Sequence, residues 1–213
     1  MPFYKTVILN DGILSLWELP DSNQEFLEEF PQLNDDRFRM IISQRRQKEW
    51  LATRTLLLYS GCQPNQLSYL PTGKPIIAHP EYKFISISHS AQLAGILLTR
   101  TVPTGLDIES KNRNFSRVEK KYLSEEERLL AVTQPEGHAV FWCIKEAVYK
   151  LLDHQGIIFD SQIKISTGGY HNYNILSTTP YLSHYGYVQM KINDQIIVFL
   201  TLKQHESKIQ PES

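Results

Sequence analysis

The stretch from Val102 to Glu109, VPTGLDIE, permits few local structures. In an extended chain successive side chains point to opposite faces. Leu106 and Ile108 then point into a core, and Asp107 and Glu109 share the other face. Two carboxylates crowded on one face repel each other, and a hard cation between them removes that cost. Oxygen donors without thiolates or clustered imidazoles favour Mg²⁺. A solvated face on an edge strand is the alternative reading of the same alternation.

A second stretch, FWCIKEAVYK from Phe141 to Lys150, carries the helical period. Phe141, Ile144, Val148 and Leu151 recur at steps of three and four, so His138 to about Leu152 is predicted to be a helix with one buried stripe. Glu146 and Lys150 are four apart and fall on an adjacent stripe, where a plain surface ion pair would also place them. Pro135-Glu136-Gly137 separates this helix from an earlier one. That earlier helix opens with Ser124 and, three residues on, Glu127, the spacing of a capping box. Capping offers Glu127 a purely structural role.

Upstream, Asn10-Asp11-Gly12 joins two β-rich runs, Tyr4 to Leu9 and Ile13 to Leu19, as a hairpin would. Glu25 to Phe30 suits a short helical turn, and a longer helix is predicted from Asn34 to about Tyr59 with Gly61 as its stop. Arg37, Arg39, Arg45, Arg46, Lys48 and Arg54 make it the most basic region, either a solvated face or an anion site. Gln63 to Pro75 is turn-rich and holds Lys74 between Gly73 and Pro75. Phe84 to Ser88 alternates Ile and Ser, Ala94 to Leu98 is a second apolar run, and Ser88-His89 falls at the strand end between them. Strands are expected at Ile157 to Ile165, Tyr173 to Leu176, Tyr185 to Ile192 and Gln195 to Lys203, with turns at Gly168-Gly169 and Asn193-Asp194 and a polar tail from Gln204.

The 213 residues suffice for one sizeable domain or two small halves. A net charge of -1 argues against a general nucleic-acid binder. No apolar run is long enough to span a membrane, and no secretory leader is visible. Cys62 and Cys143 lie far apart, as ordinary apolar residues of a reducing compartment, so the expected location is the cytoplasm.

The ordered set GKP (Gly73 to Pro75), ISISHS (Ile85 to Ser90), GLDIE (Gly105 to Glu109), YLSEEE (Tyr122 to Glu127) and FWCIKEAVYK resembles the 4′-phosphopantetheinyl transferase superfamily, in particular its monomeric surfactin-synthetase-activating type. The likeness is strongest over residues 45 to 150. It implies an α+β fold of two similar subdomains in a pseudo-twofold arrangement, each a helix on a small, mainly antiparallel sheet. Residues 1–101 would form the coenzyme A side, and 102–213 the metal-binding and carrier-docking side. The implied reaction moves the 4′-phosphopantetheine arm of coenzyme A to a serine of an apo acyl or peptidyl carrier protein, releasing 3′,5′-adenosine bisphosphate.

By position, Asp107, Glu109 and Glu146 would be the Mg²⁺ carboxylates and Lys150 a phosphate contact. Lys74, Ser88, His89 and Arg54 would touch coenzyme A, with Arg45 and Lys48 on its 3′-phosphate side. Glu127 or Glu146 would be the general base. Two readings compete with this one: another Mg²⁺-dependent phosphotransferase or hydrolase, and a non-catalytic carrier-binding homologue.

Overall fold

The computed structural model describes residues 4–168, 173–178 and 183–202. Tyr170, Tyr181, part of the Gly168-Gly169 turn and the tail from Gln204 fall outside them. In the first half, β1 (Tyr4–Leu9) and β2 (Gly12–Glu18) lead into α1 (Gln24–Glu29), α2 (Asp36–Arg39) and α3 (Gln44–Tyr59). The short strands β3 (Leu67–Tyr69) and β4 (Pro75–Ile77) then precede β5 (Phe84–His89) and β6 (Leu93–Thr99). In the second half, β7 (Thr104–Ser110) is followed by α4 (Glu125–Val132), α5 (Gly137–Leu152) and α6 (Phe159–Gln162). The strands β8 (Ile163–Thr167), β9 (Tyr173–Ser177), β10 (Ser183–Ile192) and β11 (Gln195–Leu202) complete it.

These elements build an α+β fold with two antiparallel sheets, each packed against helices. The first sheet runs β1-β2-β6-β5 and the second β7-β11-β10-β9-β8, while β3 and β4 pair separately. Alternation along the strands explains the layers. On β2, Ile13 and Trp17 face the core under α3, where Leu51, Leu56 and Leu57 meet them. Leu14 and Leu16 face the other way, onto Leu106, Ile108, Ile197 and Phe199 of the second sheet. The far face of that sheet packs on Phe141, Ile144, Val148 and Leu151, the stripe predicted for α5. The layers therefore run helix, sheet, sheet, helix. Each fully buried Leu, Ile, Val or Phe contributes about 1.5–3 kcal/mol.

The opening hairpin forms as expected, with Gly12 paired to Leu9 as the first residue of β2 rather than part of the turn. Two expected elements need correction. The basic helix predicted from Asn34 is broken: α2 ends at Arg39, and α3 begins only after Ser43, whose side chain caps it by accepting from the Arg46 amide. Ile42, an apolar residue inside the span predicted as helix, lies in the break and is 98% exposed. Local hydrogen bonding by Ser43 and Asp35 wins here over helical continuity. Similarly, Ile157 to Ile165 is not one strand, because α6 occupies Phe159–Gln162 and β8 starts at Ile163.

Two glycines set the spacing of the layers. A Cβ on Gly95 would lie 2.7 Å from Ile108 and 2.9 Å from Leu16, so the sheets meet closely only without it. A Cβ on Gly105 would fall 1.9 Å from the Ala147 carbonyl, which brings α5 directly onto β7. Gly105→Ala is expected to lower the unfolding free energy by roughly 1–3 kcal/mol, the range for overpacking, read as a lower urea midpoint at unchanged slope.

Candidate active site

The functional groups gather where the two sheets meet edge to edge. β5 ends the first sheet and β7 ends the second. Along β5, Ile85 and Ile87 turn to the α3 core, and Ser86 and Ser88 turn to β7. The Ser86 hydroxyl accepts from the Leu106 amide at 2.9 Å, and the Ser88 hydroxyl from the Ile108 amide at 3.0 Å. The Leu106 carbonyl receives Lys150 Nζ at 3.0 Å. Side chains thus satisfy the β7 edge groups that a neighbouring strand would otherwise pair.

This join fixes Asp107. The residue is 4% exposed. Its Oδ1 accepts from Lys150 Nζ at 2.7 Å and from Ser88 Oγ at 3.0 Å. Its buried Oδ2 makes no hydrogen bond of ordinary geometry among the described residues. The Cys143 thiol that approaches this carboxylate is only a weak donor, and burial together with Asp107 and Glu109 holds it well above the usual thiol range. Ser88 thus bonds β7, Asp107 and Lys150 at once.

Glu109 shares the Asp107 face, as alternation requires. Its Oε1 accepts from Trp142 Nε1 at 3.1 Å and pairs with Arg113. The Arg113 guanidinium sits 5.0 Å from the ring centres of both Phe115 and Trp142. Burial, then repulsion from Asp107, raises the Glu109 pKa despite Arg113. Glu146 enters from α5 and makes no ion pair among the described residues. Burial and the charge of Asp107 push its pKa up to about 7, against the pull of Lys150. Three carboxylates thus crowd the middle of α5, while Asp107 and Glu109 each hold a cation of the chain. In this arrangement no set of three or more Asp, Glu, His or Cys side chains among the described residues is grouped to hold a metal ion. The donor chemistry nonetheless fits a hard divalent cation. Oxygen donors face one another in excess of their counter-charges, and one of them, Asp107 Oδ2, is buried without a strong partner.

Glu127 stands apart from this cluster. It is buried, its side chain and that of Ser124 form the predicted capping box, and its Oε2 also meets Lys145 Nζ at 2.7 Å. Its Oε1 accepts from the Ile165 amide at 2.8 Å. The fully buried Lys145 has all three protons placed, on Glu127, Phe159 O and Ile163 O. Burial lowers its pKa to about 8, against the attraction of Glu127. The pair ties α4, α5 and β8 together.

Two clefts flank the join. The larger, of about 1290 Å³, lies between α3, the β3–β4 loop, β5 and the end of α5. Arg46, Trp50, Arg54, Lys74, His89 and Lys150 line it. Arg54 stacks over Trp50 at 4.2 Å, and burial disfavours its charge while Tyr69 supports it. Lys74 donates to the Leu151 carbonyl at 3.3 Å, where the α5 dipole favours a cation. The smaller cleft, of about 900 Å³, receives Arg45, Lys48, Glu109 and Arg113. His89 and Glu49 line both, with Nδ1 and a carboxylate oxygen 3.4 Å apart. Burial lowers the His89 pKa, Lys150 and Arg45 add to that, and Glu49 opposes it.

The fold thus brings Asp107, Glu109, Glu146 and Lys150 together, and gathers Arg54, Lys74 and His89 around one cleft. Arg45 and Lys48 face the other cleft. Arg46 and Trp50 had a readable signal: each is one further helical turn back from Arg54, whereas Arg45 is out of phase by about half a turn.

Residues 103–198 match a protein-family model. The match is to the 4′-phosphopantetheinyl transferase superfamily. It holds at superfamily level and includes β7, α4 and α5, hence Asp107, Glu109, Glu127 and Glu146. No curated protein matches the chain. Among solved structures, a holo-(acyl-carrier-protein) synthase from Bacillus anthracis str. Ames, in complex with coenzyme A (3′,5′-ADP), aligns with a TM-score of 0.41 and 18% identity. That alignment covers 47% of this chain and 96% of the synthase. The Thermotoga maritima holo-[acyl-carrier-protein] synthase aligns with a TM-score of 0.40 and 15% identity, over 49% of this chain and 65% of its own.

Two measurements check the electrostatics. Glu146 binds its proton more tightly folded (about 7) than at its ordinary value of 4.5, so folded protein holds more protons between those pH values. Stability of the metal-free protein should therefore fall as pH rises through that window, and Glu146→Gln should flatten the fall in a urea series at several pH values. Separately, Glu127→Gln leaves buried Lys145 without its counter-charge and should cost about 3–5 kcal/mol. Adding Lys145→Met should recover much of that loss in the double variant.

Proposed function

We propose that the protein transfers the 4′-phosphopantetheine arm of coenzyme A to a serine of an apo acyl or peptidyl carrier protein, releasing 3′,5′-adenosine bisphosphate. The observation that carries this reading is the convergence of Asp107, Glu109, Glu146 and Lys150 at the edge of a basic cleft, within the matched segment. The cleft has the size and lining for a dinucleotide-like anion. Arg46, Arg54 and Lys74 supply positive charge, and Trp50, Tyr69 and Tyr149 supply flat apolar surface.

In this reading the serine oxygen bonds to the phosphorus that bears the pantetheine arm, and the bond from that phosphorus to the bridging anhydride oxygen breaks. The bisphosphate leaves with the bond electrons. Lys150, at the cleft edge, steadies charge on the phosphoryl oxygens. The serine proton goes to a carboxylate, and we assign that role to Glu146. It stands beside Lys150 and Asp107 and makes no ion pair among the described residues, whereas both Glu127 oxygens are committed to buried donors. Glu127 is assigned as a positioning residue. Asp107, Glu109 and Glu146 would hold Mg²⁺, which when bound supplies charge neutralisation at the pyrophosphate. His89 lies on the wall between the clefts, so coenzyme A is assigned to the larger and the carrier serine to the side of Glu109. Residues 1–101 then supply the coenzyme A side, and 102–213 the carboxylates and the carrier side. Because one chain provides both, the unit is assigned as a monomer.

The test is a mass increase on a panel of apo carrier proteins incubated with coenzyme A and Mg²⁺. Transfer to at least one carrier is expected. Turnover of coenzyme A without any carrier would favour a hydrolase, and carrier binding without transfer would favour a non-catalytic role. Asp107→Ala and Glu146→Ala should each cut transfer by roughly 10²-fold or more, the worth of a few kcal/mol of transition-state charge stabilisation. Their urea midpoints should show that both remain folded. Wild-type rates in either would overturn the assignment.

A further inference from the structure

We propose that the Lys150 ammonium holds the place of a divalent cation on Asp107 in the unloaded protein, so that Lys150 must leave Asp107 before a metal can be held there. This rests on the reading of Asp107 as a metal carboxylate. Three observations carry it.

First, the Lys150 ammonium is an inner partner of this carboxylate, not a distant counter-charge. It contacts Asp107 Oδ1 at 2.7 Å, Ser88 Oγ at 2.9 Å and the Leu106 carbonyl at 3.0 Å. Three donors meet three oxygen acceptors, as a compact cation in an oxygen cradle does. A small divalent ion demands oxygens at about 2.0–2.1 Å in octahedral array. An ammonium at hydrogen-bond distance on the same oxygen blocks that approach and adds like-charge repulsion.

Second, the cradle has unused capacity. Asp107 Oδ2 is buried without a strong partner, and Glu146 faces the cluster with no ion pair among the described residues. One monovalent ammonium therefore neutralises only part of a site built from several carboxylate oxygens. Third, Lys150 has somewhere to go. Its side chain is 29% exposed, and the residue lines the larger cleft, where it can meet an anion while remaining on α5. The same rotation that releases Asp107 supplies an ammonium to the cleft. Metal on Asp107 and anion in the cleft are then coupled through one side chain, and the coupling is reciprocal.

Mn²⁺ alone tests this, with no coenzyme A or carrier present. Free Mn²⁺ is followed by electron paramagnetic resonance during titration of wild type, Lys150→Met, Lys150→Gln and Lys150→Arg, each checked for a cooperative thermal transition. The neutral variants should bind Mn²⁺ more tightly than wild type, by about tenfold within the usual coupling range of 5–150-fold. Lys150→Arg keeps the charge and should stay near wild type. Asp107→Asn in the Lys150→Gln background should abolish the gain. Should Lys150→Met fail to fold, Lys150→Gln retains hydrogen-bonding capacity toward Ser88 and Leu106 and decides alone. Equal or weaker binding by the neutral variants overturns the place-holding role and leaves the metal reading standing. Absence of Mn²⁺ binding in every variant overturns both, while carrier transfer is scored separately.

Discussion

The join between the two sheets rests on hydroxyl groups. An edge strand carries unpaired amides and carbonyls that must be satisfied when covered. Here Ser86 and Ser88 reach those amides from the neighbouring sheet, while the intervening isoleucines stay in the α3 core. A backbone ladder would have merged the sheets into one. Apolar residues at both serine positions would have left the Leu106 and Ile108 amides buried without partners, at about 1–3 kcal/mol each. The serines keep the sheets separate but in register, and the clefts open along that seam.

Charge balance follows from the same seam. β7 brings Asp107 and Glu109 to the helix carrying Glu146, at the close approach that Gly105 permits. Left alone, such carboxylates would shed their charge by taking up protons. The chain supplies Lys150 on one side and Arg113 on the other. Glu146 absorbs what remains and titrates near neutrality. By contrast, Glu127 and Lys145 are balanced one to one, with every polar atom satisfied. Glu127 and Glu146 differ in environment, and environment decides their chemistry.

Much of this was legible in the sequence where periodicity and local chemistry agree. The β7 alternation, the α5 stripe and the Ser124–Glu127 capping box each follow from nearby residues and appear as expected. The two-sheet α+β architecture also follows. Long-range partners were less readable. Nothing local marks Lys145 as the buried partner of Glu127, because a lysine beside a stripe reads as solvated. Nothing local marks the partners of Ser88 either, because Asp107 and Lys150 lie 19 and 62 residues away. The basic helix misled in a different way. Residue type left it either a solvated face or an anion site; the break at residues 40–43 separates Arg37 and Arg39 from α3, and helical phase divides the α3 cations between two clefts.

Both ends of α5 are unusual. Glu136 before its first turn and Asp153 after its last lie in the left-handed region, at φ of 56° and 51°. Side chains reach that region at some cost in strain, less for Asp than for Glu. Two such stops fix where the helix begins and ends, so it cannot creep along its axis by a residue. A slip of one residue would turn every side chain on it by about 100° and carry Glu146 and Lys150 away from β7. The length of α5 therefore acts as a ruler for the chemistry at its centre. Glu136, outside both clefts, is a position from which that ruler can be recalibrated without touching a charged group of the cluster.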